Sequence, residues 1–350
     1  MIQEYPDYFL SFHCIGGACE DSCCIGWEVD IDEESYYYYQ TLEGPFGDLI
    51  RSRIQVSPEG DYYFPMVEHH RCPFLNKENL CDMILELGEE ALCMTCDEYP
   101  RYFNRIGDYE QVDISLSCME VGRLLFSGKG PVTYEQSQVD DFPAEEDFRE
   151  EIFSGEAFPD EAFPDEDAPV DPSLLQSLLH SRDSMICQLQ SRIYPINRRI
   201  QSVLLEGDAE DDRAELKCES YDILLERYRP LVPLDRSWRR QMKQLQERRA
   251  ELEEAETECF HANRGRLEFW FEKLSVYFVY RYHLDDYYDE DPTYSRRLTI
   301  RSLQLLWLLL ILRWLDKGRE ALTTEDMIDL AHVYSRQVEH CEENVEYLKR

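Results

Sequence analysis

Apolar residues recur every three or four positions through the second half of the chain and break into short alternating runs in the first third. Leu174, Leu175, Leu178, Leu179, Met185, Ile186 and Leu189 follow a spacing near 3.6, which predicts a helix, and Asp171-Pro172 supplies its cap and first turn. The same periodicity predicts helices over 214–228, 234–260, 265–283, 294–317 and 325–349, with Thr324 placed to cap the last. Aromatics crowd at Phe269, Trp270, Phe271, Tyr277, Phe278, Tyr280 and Tyr282, a density that suits a core stripe or a pocket wall. The run Leu303–Leu315 is shorter than the roughly 20 residues that a membrane-spanning helix needs, and Arg301 and Arg313 flank or interrupt it, so it predicts a buried helix. In the first third, residues 27–32 alternate apolar and acidic side chains as a half-buried strand does. Short helices are expected over 32–42, in part of 79–92, and over 114–126.

The chain therefore reads as mainly α: a cysteine-rich N-terminal domain with small β and irregular content, followed by a C-terminal helical domain. Residues 1–133 carry the cysteines and the turn pairs Gly16-Gly17, Gly44-Pro45 and Ser57-Pro58. Residues 134–171 are strongly acidic, with Arg149 the one basic residue and the pentapeptide Glu-Ala-Phe-Pro-Asp repeated at 156–160 and 161–165, and they predict a solvated linker or insertion. Residues 172–350 form the helical domain.

Charge narrows the function. A formal charge of −37 repels phosphate backbones and anionic bilayers, so it argues against nucleic-acid and membrane partners and favours cationic ones. The N-terminus shows neither a basic n-region nor an apolar h-region, so a cytoplasmic protein is expected.

In a reducing compartment the cysteines become the chief chemical signal. Nine of the thirteen fall between Cys14 and Cys118, whereas Cys187, Cys218, Cys259 and Cys341 are scattered singly and suit ordinary packing. Soft thiolates select zinc or iron–sulfur clusters over hard cations. Zinc sites draw ligands from close pairs, and Cys93-x2-Cys96 is the one such pair; an iron–sulfur cluster needs four thiolates and accepts irregular spacing. Nine thiols exceed one cluster's need, so some are structural or a second site exists. Cys23 and Cys24 are adjacent, and on an extended segment they would point apart unless a sharp turn joined them. His13, His69 and His70 lie near the cysteines but read as ordinary surface or core residues. A reduced, thiol-rich core without metal is the plain alternative.

The segment Cys14-Ile-Gly-Gly-Ala-Cys19-Glu-Asp-Ser-Cys23-Cys24-Ile-Gly-Trp27, with Cys72-Pro73-Phe74-Leu75, Leu80-Cys81, Thr95-Cys96, Tyr99-Pro100-Arg101 and Ser117-Cys118, resembles the flagellin lysine-N-methylase (FliB) family. Cys93 lies outside that pattern, and Met119 stands where the family often has proline. The resemblance implies a protein-lysine N-methyltransferase that uses S-adenosylmethionine to methylate flagellin before export. It also implies an iron–sulfur cluster, [4Fe-4S] in type, held by a subset of Cys14, Cys19, Cys23, Cys24, Cys72, Cys81, Cys96 and Cys118, with zinc the alternative metal. Arg101 becomes a candidate contact to the methyl donor, or the partner of a buried acid. The chain has neither the glycine-rich Rossmann fingerprint nor the Cys-x3-Cys-x2-Cys spacing of radical enzymes, so the donor site and the catalytic base have no sequence signature. Amine methylation needs a neutral nucleophile, which predicts an acidic entrance leading to a tyrosine-lined, dry pocket. A metal-binding or electron-transfer module without methyl transfer is the competing function, and a partner-binding scaffold with structural metal a third.

Overall fold

A computed structural model describes residues 1–138, 170–205, 220–233, 236–289 and 293–350. In chain order its strands and helices are β1 (Ile2–Pro6), β2 (Val29–Ile31), α1 (Glu33–Thr41), α2 (Gly44–Arg53), β3 (Gln55–Val56), β4 (Tyr62–Phe64), α3 (Asp82–Leu87), α4 (Met94–Glu98), β5 (Arg101–Ile106), β6 (Tyr109–Ile114), α5 (Met119–Ser127) and β7 (Tyr134–Gln138). The second half is helical: α6 (Pro172–Leu189), α7 (Ile196–Leu204), α8 (Tyr221–Tyr228), α9 (Arg236–Glu247), α10 (Arg249–Tyr282), α11 (Tyr294–Asp316), α12 (Thr324–Val338) and α13 (Glu342–Lys349). The fold is mainly α, as the periodicity implies.

The longest helix, α10, packs along α11; α11 and the C-terminal part of α10 from Trp270 are buried on nearly all sides, whereas residues 249–266 of α10 bury one face only. Helix α11 is long and apolar enough to cross a bilayer by composition, but 89% of that window is buried inside the protein. A four-stranded sheet of order β5-β6-β1-β7 lies against this pair, with β1 parallel to β6 and antiparallel to β7. Polar ties fix the sheet: Gln111 Nε2 donates to the Tyr280 carbonyl at 2.8 Å, and the Tyr280 hydroxyl donates to the Glu4 carbonyl at 2.9 Å. From α6, buried Arg182 pairs with Glu4 and donates to Gln111 Oε1 at 2.7 Å, so a charge taken out of water is matched. Helix α5 approaches α12 closely at Gly122, where a Cβ would stand 3.0 Å from Ile328 Cγ2.

A second, smaller core lies in the first hundred residues. Strands β2, β4 and β3 pair antiparallel beside α1 and α2, burying Val29, Ile31, Tyr39, Ile50, Phe64, Phe74 and Met83 together with Cys72 and Cys93. Asp32 caps α1 by accepting from the Ser35 N–H at 2.8 Å, and its other oxygen accepts from the Met94 N–H at 2.8 Å. The alternation at 27–32 thus appears as a strand that feeds directly into a capped helix.

Several expectations change. The predicted 134–171 linker begins with a strand: β7 pairs along β1 from Pro6↔Tyr134 to Ile2↔Gln138. The rest of that segment up to 169, including Arg149 and the repeat, lies outside the described residues. The β5–β6 hairpin was not foreseen, although Gly107-Asp108, with Gly107 at φ +59°, is the two-residue turn signal that would have found it. Helices expected over 234–260 and 265–283 are divided elsewhere, because the chain breaks at Arg248 and then runs unbroken through Gly265. Thr323, not Thr324, caps α12: its hydroxyl accepts from the Asp326 N–H at 3.3 Å, and Asp326 returns the bond to the Thr323 N–H at 2.8 Å. The helix expected to run to 349 also breaks at 339–341, and that break carries Glu339 and His340 into the site described next.

Candidate active site: an acidic cavity beside a thiol district

A cavity of about 640 Å³ opens between β5–β6, the C-terminal end of α10 and the 339–349 segment. That volume lies in the range of small-molecule sites. Its lining holds six carboxyl side chains (Asp113, Asp285, Asp289, Glu339, Glu342 and Glu346) against the two cations Arg281 and Lys349, so it favours a cationic guest. Tyr102, Phe103, Tyr282 and Tyr288 supply the aromatic wall.

At the deep end, Arg281 lies between two acids: Nη1 is 3.1 Å from Asp113 Oδ2, and Nε is 3.0 Å from Glu339 Oε1. Its guanidinium stacks 3.6 Å from the Tyr102 ring centroid. Burial works against its charge, but the surrounding tyrosines and Glu339 outweigh burial and raise its pKa. Glu339 also accepts from the Tyr282 hydroxyl at 2.8 Å and the Tyr277 hydroxyl at 3.1 Å. Burial keeps both phenols protonated, and so able to donate.

Asp113 is different. It is 3% exposed, and its Oδ1 has no hydrogen-bond partner among the described residues. Burial pushes its carboxyl up to about 6 despite Arg281. At neutral pH Asp113 is thus a desolvated, largely ionised carboxylate in the cavity lining, with its Oδ1 buried and unpaired among the described residues. Near the rim, Lys349 Nζ stands 3.2 Å from both Asp285 and Glu346.

His340 joins this cavity to the cysteines. Its Nε2 lies 2.6 Å from Ser117 Oγ and 3.1 Å from Ser115 Oγ, and its ring stacks on Trp27 at 5.4 Å. Burial, then Arg281 and Arg336, hold its pKa down to about 3, so the imidazole is neutral. Tyr99 packs against the same ring at 5.8 Å and bonds Ser117 at 3.1 Å. Burial raises the Tyr99 pKa, and Cys23 and Cys118, beyond it, raise it further.

The structure divides the sequence-predicted thiols: Cys24, Cys72, Cys81 and Cys96 pack with the small core, and Cys19 and Cys118 against the main one. Cys23 and Cys24 occupy a tight turn closed by the Ile25 N–H on the Ser22 carbonyl at 3.1 Å, and their thiols hydrogen-bond each other, so the opposed orientation expected of an extended strand is not adopted. The Cys72 N–H donates to the Cys24 carbonyl at 2.8 Å, and a β-bridge between Leu75 and Cys81 folds Cys81 back on the same side. Cys93, left out of the predicted ligand set, hydrogen-bonds Cys96 through sulfur, and its N–H···O contact from Cys96 is 2.9 Å. The scattered cysteines lie elsewhere: Cys187 is exposed, Cys259 buried and Cys341 half-buried, while Cys218 lies outside the described residues. His13, His69 and His70 are exposed. Arg101 is not among the cavity residues. It lies 5.5 Å from the Phe12 ring centroid and donates to the Asp97 carbonyl at 3.3 Å.

Among the described residues, no three Cys, His, Asp or Glu side chains converge closely enough to hold one ion. Four ligands of a single zinc must all lie about 2.3 Å from it. A four-iron cube carries its thiolates at wider corners and binds thiolate sulfur alone. The donor set is all thiol, which a four-iron cube accepts and a four-cysteine zinc site accepts too. One member of each hydrogen-bonded pair ionises readily: Cys23 lowers Cys24 to about 7, and Cys96 lowers Cys93.

Sequence reasoning missed Asp113, Arg281, Glu339 and His340. Arg281 had a signal, as a lone charge in the apolar run Val276–Tyr282. Asp113 and Glu339 had none, because their partners are remote in sequence.

Comparison with known proteins places the chain. Residues 204–350 match the family model of the FliB lysine N-methylase C-terminal domain. The flagellar biosynthetic protein FliU of Salmonella muenchen is 26% identical over 121 residues, 33% of this chain and 72% of that protein. The lysine-N-methylases of Salmonella typhimurium and Salmonella choleraesuis are 30% and 26% identical over 122 and 121 residues. Each of those matches takes in 33% of this chain, and the chain spans 30% of the length of each methylase. No solved structure matches. The C-terminal segment therefore resembles the FliB lysine N-methylase C-terminal domain, and the chain is similar over a third of its length to these flagellar lysine-N-methylases.

Proposed function

We propose that this protein is a protein-lysine N-methyltransferase that methylates lysine side chains of flagellin with S-adenosylmethionine, and that its thiol district holds iron–sulfur. The observation that carries this reading is buried Asp113, its carboxyl pushed up to about 6, in the lining of a cavity whose carboxyl groups outnumber its cations. The family relatives, named as lysine-N-methylases, supply the reaction class.

The chain's residues divide the work. Rim carboxylates draw in the lysine ammonium, and the walls of Tyr102, Phe103 and Tyr282 strip its water. A free lysine ammonium has a pKa of about 10.4. Apolar surroundings lower it, so the neutral amine becomes reachable at the floor of the site. The Asp113 carboxylate accepts the departing proton, and its raised pKa makes it a stronger base than an exposed carboxylate. Arg281, clamped by Glu339, Tyr277 and Tyr282, holds Asp113 in place. When bound, the donor supplies a methyl carbon whose bond to sulfur breaks with its electron pair left on sulfur.

The thiols sit behind this floor through Tyr99, Ser117 and His340. A cluster there would brace the loops that present these residues, a structural role that polar methyl transfer allows. A metal-binding or electron-transfer module without methyl transfer would give the buried Asp113 carboxylate no use.

The test is transfer of radiolabelled methyl from S-adenosylmethionine to flagellin by protein purified without oxygen. Label is expected on flagellin lysines and is expected to be lost in D113N. No transfer by folded, metal-replete protein would overturn the reading.

A further inference from the structure

We propose that the nine N-terminal thiols hold two iron–sulfur centres, Cys14, Cys19, Cys23 and Cys118 ligating one and four of Cys24, Cys72, Cys81, Cys93 and Cys96 the other. The packing carries the division. Cys24, Cys72, Cys81, Cys93 and Cys96 all belong to the small core beneath β2 and β4. Cys19 and Cys118 instead pack against the main core, beside α5. Backbone contacts repeat the pattern: Cys72 bonds directly to Cys24, whereas Cys118 begins α5 with its N–H on the Ser115 carbonyl at 3.2 Å.

Electrostatic neighbourhood draws the same line. Cys118 feels Cys19 and Cys14, Cys19 feels Cys14, and Cys23 feels Cys14 and Cys118. In the other set Cys72 feels Cys24, Cys81 and Cys93, Cys81 feels Cys24, and Cys96 feels Cys93, Cys24 and Cys72. One contact joins the two sets, the Cys23–Cys24 pair on the turn. The first set has the four thiolates that one cluster requires, and the second has one to spare. A single centre would leave at least five thiols without a ligand role, spread over two separate cores. Two centres use the adjacent cysteines one apiece, so the turn at 22–25 becomes the partition between neighbouring clusters.

The experiment counts metal on the full chain, purified without oxygen and reconstituted with iron and sulfide. About eight iron and eight sulfide per chain are expected for two four-iron centres, against about four of each for one. The double variants C14A/C118A and C72A/C81A should each keep about half the iron and the visible absorption, with far-UV circular dichroism reporting the fold. Should either variant fail to fold, spin integration of the reduced wild-type protein decides, with two paramagnets per chain expected. Saturation at about four iron, one spin per chain, loss of all iron in both folded variants, or zinc in colourless protein would each overturn the two-centre assignment. None of these readouts depends on methyl transfer, so the proposed function stands or falls separately.

Discussion

The two cores of this protein are built on opposite principles. The main core runs from Phe12 to Leu348 and is made of leucines and aromatics on long helices, with α11 buried along most of its length. The smaller one contains nine buried residues, two of them cysteines, on short strands and one-turn to three-turn helices. A core of that size seldom supports itself without cross-links or metal. The difference teaches where stability comes from: water exclusion over a large apolar area holds the helical region, and the smaller region has far less of it. The cavity lies where the sheet, the end of α10 and the last helices meet, with the thiols behind its floor.

Removing the metal is the strongest way to break that contrast. Stripping iron with a chelator should expose the amides of residues 24–96 to hydrogen exchange while α10 and α11 stay protected, because metal binding there is folding free energy. Equal loss of protection in both regions would show one cooperative unit and dissolve the comparison.

Next in size is D113N, expected to cut methyl transfer by about 10²- to 10⁴-fold, as loss of a general base does. Its melting temperature should not fall, since the variant removes a buried charge. Unchanged transfer would remove Asp113 from the chemistry. L308A should destabilise the protein by about 2–5 kcal/mol, because Leu308 is fully buried in α11. Denaturant titration checks it, and a much smaller loss would mean that the helical core tolerates voids.

The pH dependence sharpens the picture further. Asp113 titrates at about 6 when folded, against an ordinary 3.8, so the folded protein binds that proton more tightly than the unfolded chain. Its contribution to stability is therefore full below about 4 and is lost as pH rises through about 6. Activity should climb over the same interval as the carboxylate forms, and D113N should flatten the stability slope. A slope unchanged in D113N would assign the titration to another group. The smallest effect is at the helix start: T323A should cost about 1 kcal/mol in thermal unfolding and T324A less, since Thr323 makes the cap. The reverse order would restore Thr324 as the cap.

Much of the fold was legible residue by residue. Asp171-Pro172 capped its helix as its type demands, the alternation at 27–32 became β2, and Leu303–Leu315 was buried. These outcomes depend on contacts within a few residues, which is why the local pattern suffices. Boundaries fared worse where tertiary contact overrules propensity: exposed Gly265 sits inside an unbroken helix whose Asn263 and Leu267, on either side of it, are buried.

The sequence by itself determined the helical class, the concentration of thiols in the first third and the acidity that selects a cationic partner. Only the tertiary structure decided which thiols face one another and which charges are left unpaired. Asp113 meets Arg281 across 168 positions, and Cys23 lies near enough to Cys118 to feel its charge. Local periodicity reports which face of an element is apolar. Burial of a carboxylate and its missing partner depend on what packs over that face, and the packing comes from distant parts of the chain.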